Sequence, residues 1–137
     1  MANYPEFQVA PMRDELVQAG FTQLMTAAEV DQALQKPGTT LLVVNSVCGC
    51  AAAGARPGVI LALRERGLRF DQLVTVFAGM ETEATQRARQ YFEGAAPSSP
   101  QVAILKDGRL TRLLGRPAFL DRSPQAIADE LAAAVNA

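Results

Sequence analysis

Cysteine occurs at positions 48 and 50 only, inside VVNSVCGCAAAGARPGV (residues 43–59). Two thiols separated by one glycine can serve as a redox pair, as half of a metal site, or as small packing residues. A bond between Cys48 and Cys50 closes so small a loop that it hardly constrains the unfolded chain, so the pair is poor as a structural staple. The sequence contains no histidine. That removes Ser-His-Asp and Cys-His catalysis together with most zinc sites. A metal site built on the cysteines would therefore need a pair from each of two chains. No resident metal is expected.

The context of the pair favours chemistry. TTLLVVN (39–45) is a continuous apolar, β-branched run, and AAAGARPGVILALRERG after the cysteines has helical character. Cys48 and Cys50 thus fall between the carboxyl end of a strand and the start of a helix, where open α/β sheets place their reactive crevice. Unpaired amides and the positive end of the helix dipole favour thiolate over thiol there. A Cys-x-Cys disulfide is harder to close without strain than Cys-x-x-Cys, and so suits exchange and release better than strong reduction. Cys48, expected to be the more exposed at the mouth of the turn, is read as the attacking thiol and Cys50 as the resolving one. Gly49 leaves the sulfurs uncrowded. Asn45 and Ser46 either donate hydrogen bonds to the sulfurs or simply end the strand. Arg56, about two turns along the helix, is either a contact for an anionic thiol substrate or a solvated helix residue.

The elements that must hold these groups follow from punctuation and period. A first helix is expected over 11–19, opening at Pro11 and stopping at Gly20. TAAE has the form of a capping box, with Thr26 as cap and Glu29 reaching back, and KPG ends that second helix. Pro57 should distort the helix after the cysteines. RFDQLVTVFAG carries a strand over Leu73–Phe77, and residues 80–94 a helix with Ala84 and Ala88 on one stripe. Asp107-Gly108 between QVAIL and RLTRLL marks a hairpin. Ser123-Pro124 caps a final helix bearing Ile127, Leu131 and Val135. The resulting order is helix, helix, then β-α-β-α-β-β-α. This is a thioredoxin-like α/β domain: a four-stranded mixed sheet flanked by helices (39–137), with a helical N-terminal extension (1–38). In such a domain Ser99-Pro100, just before the third strand, is expected to be cis and to lie beside the thiols.

Composition bounds the rest. The 137 residues carry 13 basic and 14 acidic side chains with no block of one sign, which disfavours a nucleic-acid partner. The longest apolar runs are too short to cross a bilayer, and MANYPEFQVAPMRDE lacks the cationic-then-apolar order of a signal peptide. A cytoplasmic monodomain, monomeric or weakly dimeric, is expected.

At these residues the sequence resembles the bacilliredoxins, a thioredoxin-fold family with a Cys-Gly-Cys motif. The resemblance rests on LLVVNSVCGCAAAGARPGV, VTVFAG, YFEGAAPSSPQVAILKDG and the opening VAPMRDELVQAGFTQLMTAAEV. It implies removal of bacillithiol from S-bacillithiolated cytosolic proteins. Cys48 would take the bacillithiol, and Cys50 or a second bacillithiol would resolve the adduct. The sulfurs do the redox work, so no cofactor is implied beyond bacillithiol as co-substrate; partners are bacillithiolated or disulfide-bonded client proteins. Disulfide isomerase activity is also attributed to the family, and a general isomerase or a non-catalytic, metal-sharing dimer are the alternative readings. Where relatives often carry histidine after the hairpin, this chain reads GRPAFLDRSP, so that role is absent or falls to Arg116. The first strand also lacks the buried acid that activates the resolving thiol of thioredoxins.

Overall fold

The computed structural model describes residues 4–92 and 94–135. Strand β2 (Thr39–Asn45) lies at the centre of a sheet, and all of it beyond Thr39 is buried. It pairs in parallel with β3 (Gln72–Phe77) and antiparallel with β4 (Gln101–Lys106). Because its side chains alternate across the sheet, Leu41 and Val43 enter one core while Leu42 and Val44 enter another. Both faces must therefore be covered, which is why the run is apolar throughout rather than alternating. The first core is closed by α3 (Arg56–Glu65) and α5 (Pro124–Val135), with Leu16 of α1 (Glu6–Gln18). The second is closed by α2 (Ala27–Leu34) and α4 (Thr82–Gln90).

Local signals hold where they were strongest. Thr26 Oγ1 accepts the Glu29 amide at 3.1 Å and Glu29 Oε1 accepts the Met25 amide at 2.7 Å, which starts α2. Asp107 and Gly108 adopt φ of 52° and 80°, the double left-handed turn that joins β4 to β5 (Arg109–Leu114). Ser123 Oγ accepts the Ala126 amide at 3.1 Å and caps α5.

Four elements differ from expectation. Thr22–Gln23 form a short strand, β1, parallel to β3, so the sheet has five strands in the order β1-β3-β2-β4-β5 rather than four. Two residues carry no readable period, and this pairing arises only because β3 offers a free edge. The segment expected as a purely helical extension thus contributes a strand. Helix α1 begins at Glu6 and contains Pro11 in its interior. The carbonyl that Pro11 leaves without a partner belongs to Phe7, which is exposed, so water can take it. Before α3 the chain winds as a π-helix over Ala51–Ala55, with the Arg56 amide bonded to the Ala51 carbonyl. This wider turn is the distortion expected at Pro57, which then occupies the first turn of the α-helical part, where its missing N–H costs least. Helix α4 ends at Gln90 instead of continuing to 94; residue 93 lies outside the described residues.

The helix carrying the cysteines is seated by two glycines. A Cβ on Gly58 would lie 2.6 Å from Ile127 Cγ2 and 2.7 Å from Ile127 Cβ, and one on Gly54 would lie 3.1 Å from the Phe119 carbonyl oxygen. These glycines let α5 pack close beneath the start of α3. Gly58→Ala forces α5 outward and is expected to lower stability by about 1–3 kcal/mol, read as a fall in the thermal or urea unfolding midpoint.

Candidate redox site

The site begins where β2 ends. The Asn45 side chain is buried and makes three hydrogen bonds: Oδ1 accepts the Ser46 amide at 2.8 Å and Arg56 Nη1 at 2.9 Å, while Nδ2 donates to the Met12 carbonyl of α1 at 3.1 Å. Ser46 Oγ accepts the Cys48 amide at 3.0 Å and so turns the chain. The Cys48 carbonyl then accepts the Ala51 and Ala52 amides at 2.9 and 3.2 Å, which opens the helix. Cys48 therefore stands at the helix mouth, and the Cys50 amide points at its sulfur from 3.4 Å.

Both cysteines are free thiols, with their sulfurs 2.6 Å apart. Each is partly buried, and hydrogen bonding, burial and charge together distinguish them. Cys48 is held below the usual thiol range chiefly by the hydrogen bond from the Cys50 thiol. Burial opposes this shift, and the Cys50 and Ala51 amides and the Arg116 charge reinforce it. Cys50 is pushed up by burial first and by its neighbour Cys48 second, with Arg116 partly offsetting both. The pair shares its protons unequally, with Cys48 shifted down and Cys50 shifted up. Gly49 is exposed, and a Cβ built on it meets nothing within 4 Å, so the turn between the two cysteines faces open space.

The Ser99-Pro100 peptide bond is cis. Pro100 is buried and directly precedes Gln101, whose partner on β2 is Val44, so the proline reaches the sheet at the level of Asn45. Two arginines brace this loop. Arg89 of α4 donates to the Ser98 carbonyl at 2.7 Å and to Gln101 Oε1 at 3.1 Å, and the Arg116 amide donates to Ser98 Oγ at 3.2 Å.

Asn45, Ser46, Cys48, Gly49, Cys50 and Arg56 thus form one unit, with Ser99 and Pro100 just ahead of the adjoining strand β4. The structure decides between the two readings of Asn45 and Ser46, which end the strand, and departs from both readings of Arg56. Asn45 and Ser46 spend their hydrogen bonds on the backbone and on Arg56 rather than on the sulfurs. Arg56 is neither solvated nor open to a substrate. It is 2 % exposed, and its guanidinium is occupied by Glu15, Asn45 and the Ser46 carbonyl. It lies under the turn because the π-segment carries the chain back beneath the end of β2. The cation that reaches the thiols is exposed Arg116, from the turn after β5. Glu15 and Arg89 escaped the sequence reading, since their relation to the site exists only across the fold. Among the described residues no group of three or more His, Cys, Asp or Glu side chains is placed to hold a metal ion.

Alkylation by iodoacetamide as a function of pH checks this asymmetry. Cys48 is expected to reach its half-maximal rate below about pH 8.5, the ordinary thiol value, and Cys50 above it. Arg116→Gln removes a charge that lowers both, and is expected to move both midpoints upward.

Comparison with known proteins agrees with the geometry. Residues 4–137 match the family model described as disulphide isomerase. A bacilliredoxin of Staphylococcus aureus (strain NCTC 8325 / PS 47) is 55% identical over 108 residues, covering 79% of this chain and 74% of that protein. A bacilliredoxin of Staphylococcus haemolyticus (strain JCSC1435) is 56% identical over the same length and shares of the two chains. Among solved structures, one described as having a thioredoxin fold superposes with a TM-score of 0.68 at 15% identity, over 86% of this chain and 96% of that one. Fasciola hepatica thioredoxin superposes with a TM-score of 0.55 at 15% identity, over 85% and 97%. With a thioredoxin fold around a free Cys-Gly-Cys pair, the protein is a thiol-disulfide oxidoreductase, and the chain belongs to the bacilliredoxin family.

Proposed function

We propose that the protein removes bacillithiol from S-bacillithiolated proteins in the cytoplasm. The observation that carries this reading is the unequal, partly exposed thiol pair on either side of an open Gly49. One sulfur is disposed to attack a disulfide presented from outside, and the other retains its proton until it is needed. The name shared by the curated relatives points to the same small thiol.

In the first step the Cys48 thiolate attacks the bacillithiol sulfur of the client's mixed disulfide. The client sulfur leaves as a thiolate, and a Cys48–bacillithiol disulfide forms. In the second step Cys50 loses its proton and attacks the Cys48 sulfur, expelling bacillithiol thiolate and leaving a Cys48–Cys50 disulfide. A second bacillithiol can take the place of Cys50, forming bacillithiol disulfide and returning the reduced enzyme. Attack is fastest when the nucleophile is ionised yet not too weakly basic, which a moderately depressed thiol satisfies. Once Cys48 is in a disulfide it is no longer a thiolate that accepts the Cys50 proton or repels a Cys50 thiolate, so one cause of the elevated Cys50 value disappears. The first step thereby prepares the second. Arg116, exposed beside the pair, suits the carboxylates of bacillithiol. The sulfurs exchange electrons directly, so the reaction draws on no cofactor.

Mass spectrometry after mixing with a bacillithiolated protein tests the scheme. Cys50→Ala is expected to accumulate a bacillithiol adduct on Cys48, and Cys48→Ala to leave the client modified. Rescue of a scrambled disulfide protein with no action on the bacillithiolated one would instead assign general isomerase activity. Thiols no faster than free cysteine, with metal found on elemental analysis, would favour a metal-sharing dimer.

A further inference from the structure

Arg56 carries a charge in the interior without touching either sulfur, and its contacts form a directed chain. From α1, Glu15 accepts Arg56 Nε at 2.9 Å. Arg56 Nη1 donates to Asn45 Oδ1 and to the Ser46 carbonyl, each at 2.9 Å. Asn45 Oδ1 also accepts the Ser46 amide, and Ser46 Oγ accepts the Cys48 amide. Every link is a hydrogen bond, and the chain ends on the backbone of the nucleophile.

We propose that Arg56 is a positioning residue for thiol-disulfide exchange: it fixes the Asn45–Ser46 turn so that Ser46 holds the Cys48 amide and sets Cys48 at the helix mouth. The inference rests on the oxidoreductase reading of the Cys pair but not on bacillithiol as the substrate. The role belongs to the planar fork rather than to the charge. Nη1 at one edge of the planar guanidinium meets two oxygens of the turn while Nε meets a carboxylate on another helix, a spread of donors that a single ammonium does not reproduce. Without the fork, the buried Asn45 and Ser46 oxygens lose a donor, and the turn relaxes toward other partners. The Cys50 amide then loses its aim at the Cys48 sulfur. The charge that acts on the thiols is that of Arg116, and Arg56 is absent from the groups that shift either one.

The test follows Cys48 alkylation by iodoacetamide against pH, resolved from Cys50 by fragment-ion mass spectrometry. It compares wild type, Arg56→Lys, Ser46→Ala, Ser46→Thr and the Arg56→Lys/Ser46→Ala double variant, with circular dichroism as a check on folding. Arg56→Lys and Ser46→Ala are each expected to raise the Cys48 midpoint by about one pH unit, about a tenfold slower reaction at neutral pH. Ser46→Thr, which keeps the hydroxyl, restores the wild-type profile. The double variant shifts no further than the larger single, because both substitutions cut one chain. Should Arg56→Lys fail to fold, Ser46→Ala and its threonine rescue decide the matter. A depressed wild-type midpoint that Ser46→Ala leaves unmoved, that a folded Arg56→Lys leaves unmoved, or that shifts additively in the double variant overturns the role of Arg56 alone. A wild-type Cys48 that titrates like free cysteine overturns the reading of the site itself, and the role of Arg56 with it.

Discussion

Strand β2 is paired along both edges and covered on both faces, and the reactive loop hangs from its end. Each of Leu41, Leu42, Val43 and Val44 is at most 1 % exposed, and burying a side chain of this size contributes about 1.5–3 kcal/mol. A strand held this firmly cannot change register without turning its whole apolar set to the wrong faces. Asn45 therefore arrives at a fixed height in the sheet, level with the cis Pro100. The position of the thiols follows from that height, from the Ser46 turn, and from the helix that starts at once behind them.

Chemistry at the site comes from placing two like groups where only one ionises easily. A helix terminus alone contributes about 0.3–1 kcal/mol to a nearby anion. The proton held by Cys50 is the leading cause of the downward shift of Cys48, and the amides at the helix mouth add to it, although a thiol is a weaker donor than an N–H or O–H group. Removing the second cysteine does more than remove a resolving group; it also removes the donor that makes the first one acidic. The single-glycine spacing is what brings the sulfurs into that contact.

Buried charge ties the N-terminal segment to this end of the molecule. Arg13 of α1 makes a two-pronged pair with Glu81 at 2.8 and 2.6 Å and lies over the Phe77 ring at the end of β3. Arg56 and Asn45 add contacts to Glu15 and Met12 of the same helix. Buried ion pairs are weak sources of net stability, because desolvation offsets most of the attraction. They are strict about geometry, however, since a partner displaced leaves a charge uncompensated. Helix α1 is accordingly fixed in place beside the turn that carries Cys48.

Local pattern by itself determined the capping box of the second helix, the Asp107-Gly108 hairpin, the capped last helix and the central apolar strand, because each depends on residues within a few positions of one another. It also placed both cysteines at a strand-to-helix junction, for the same reason. The two-residue β1, the π form taken by the distortion near Pro57 and the long α1 were not legible. Their stability comes from a sheet edge, a packed neighbour or solvent rather than from local preference. Arg56 shows the division most clearly. Its spacing from Cys48 indicated proximity, but only the tertiary structure decided that it points inward to Asn45, Ser46 and Glu15, while Arg116, distant in sequence, takes the place beside the sulfurs. A side chain's neighbours across the fold set its burial and its partners, and those contacts leave no period or spacing in the chain.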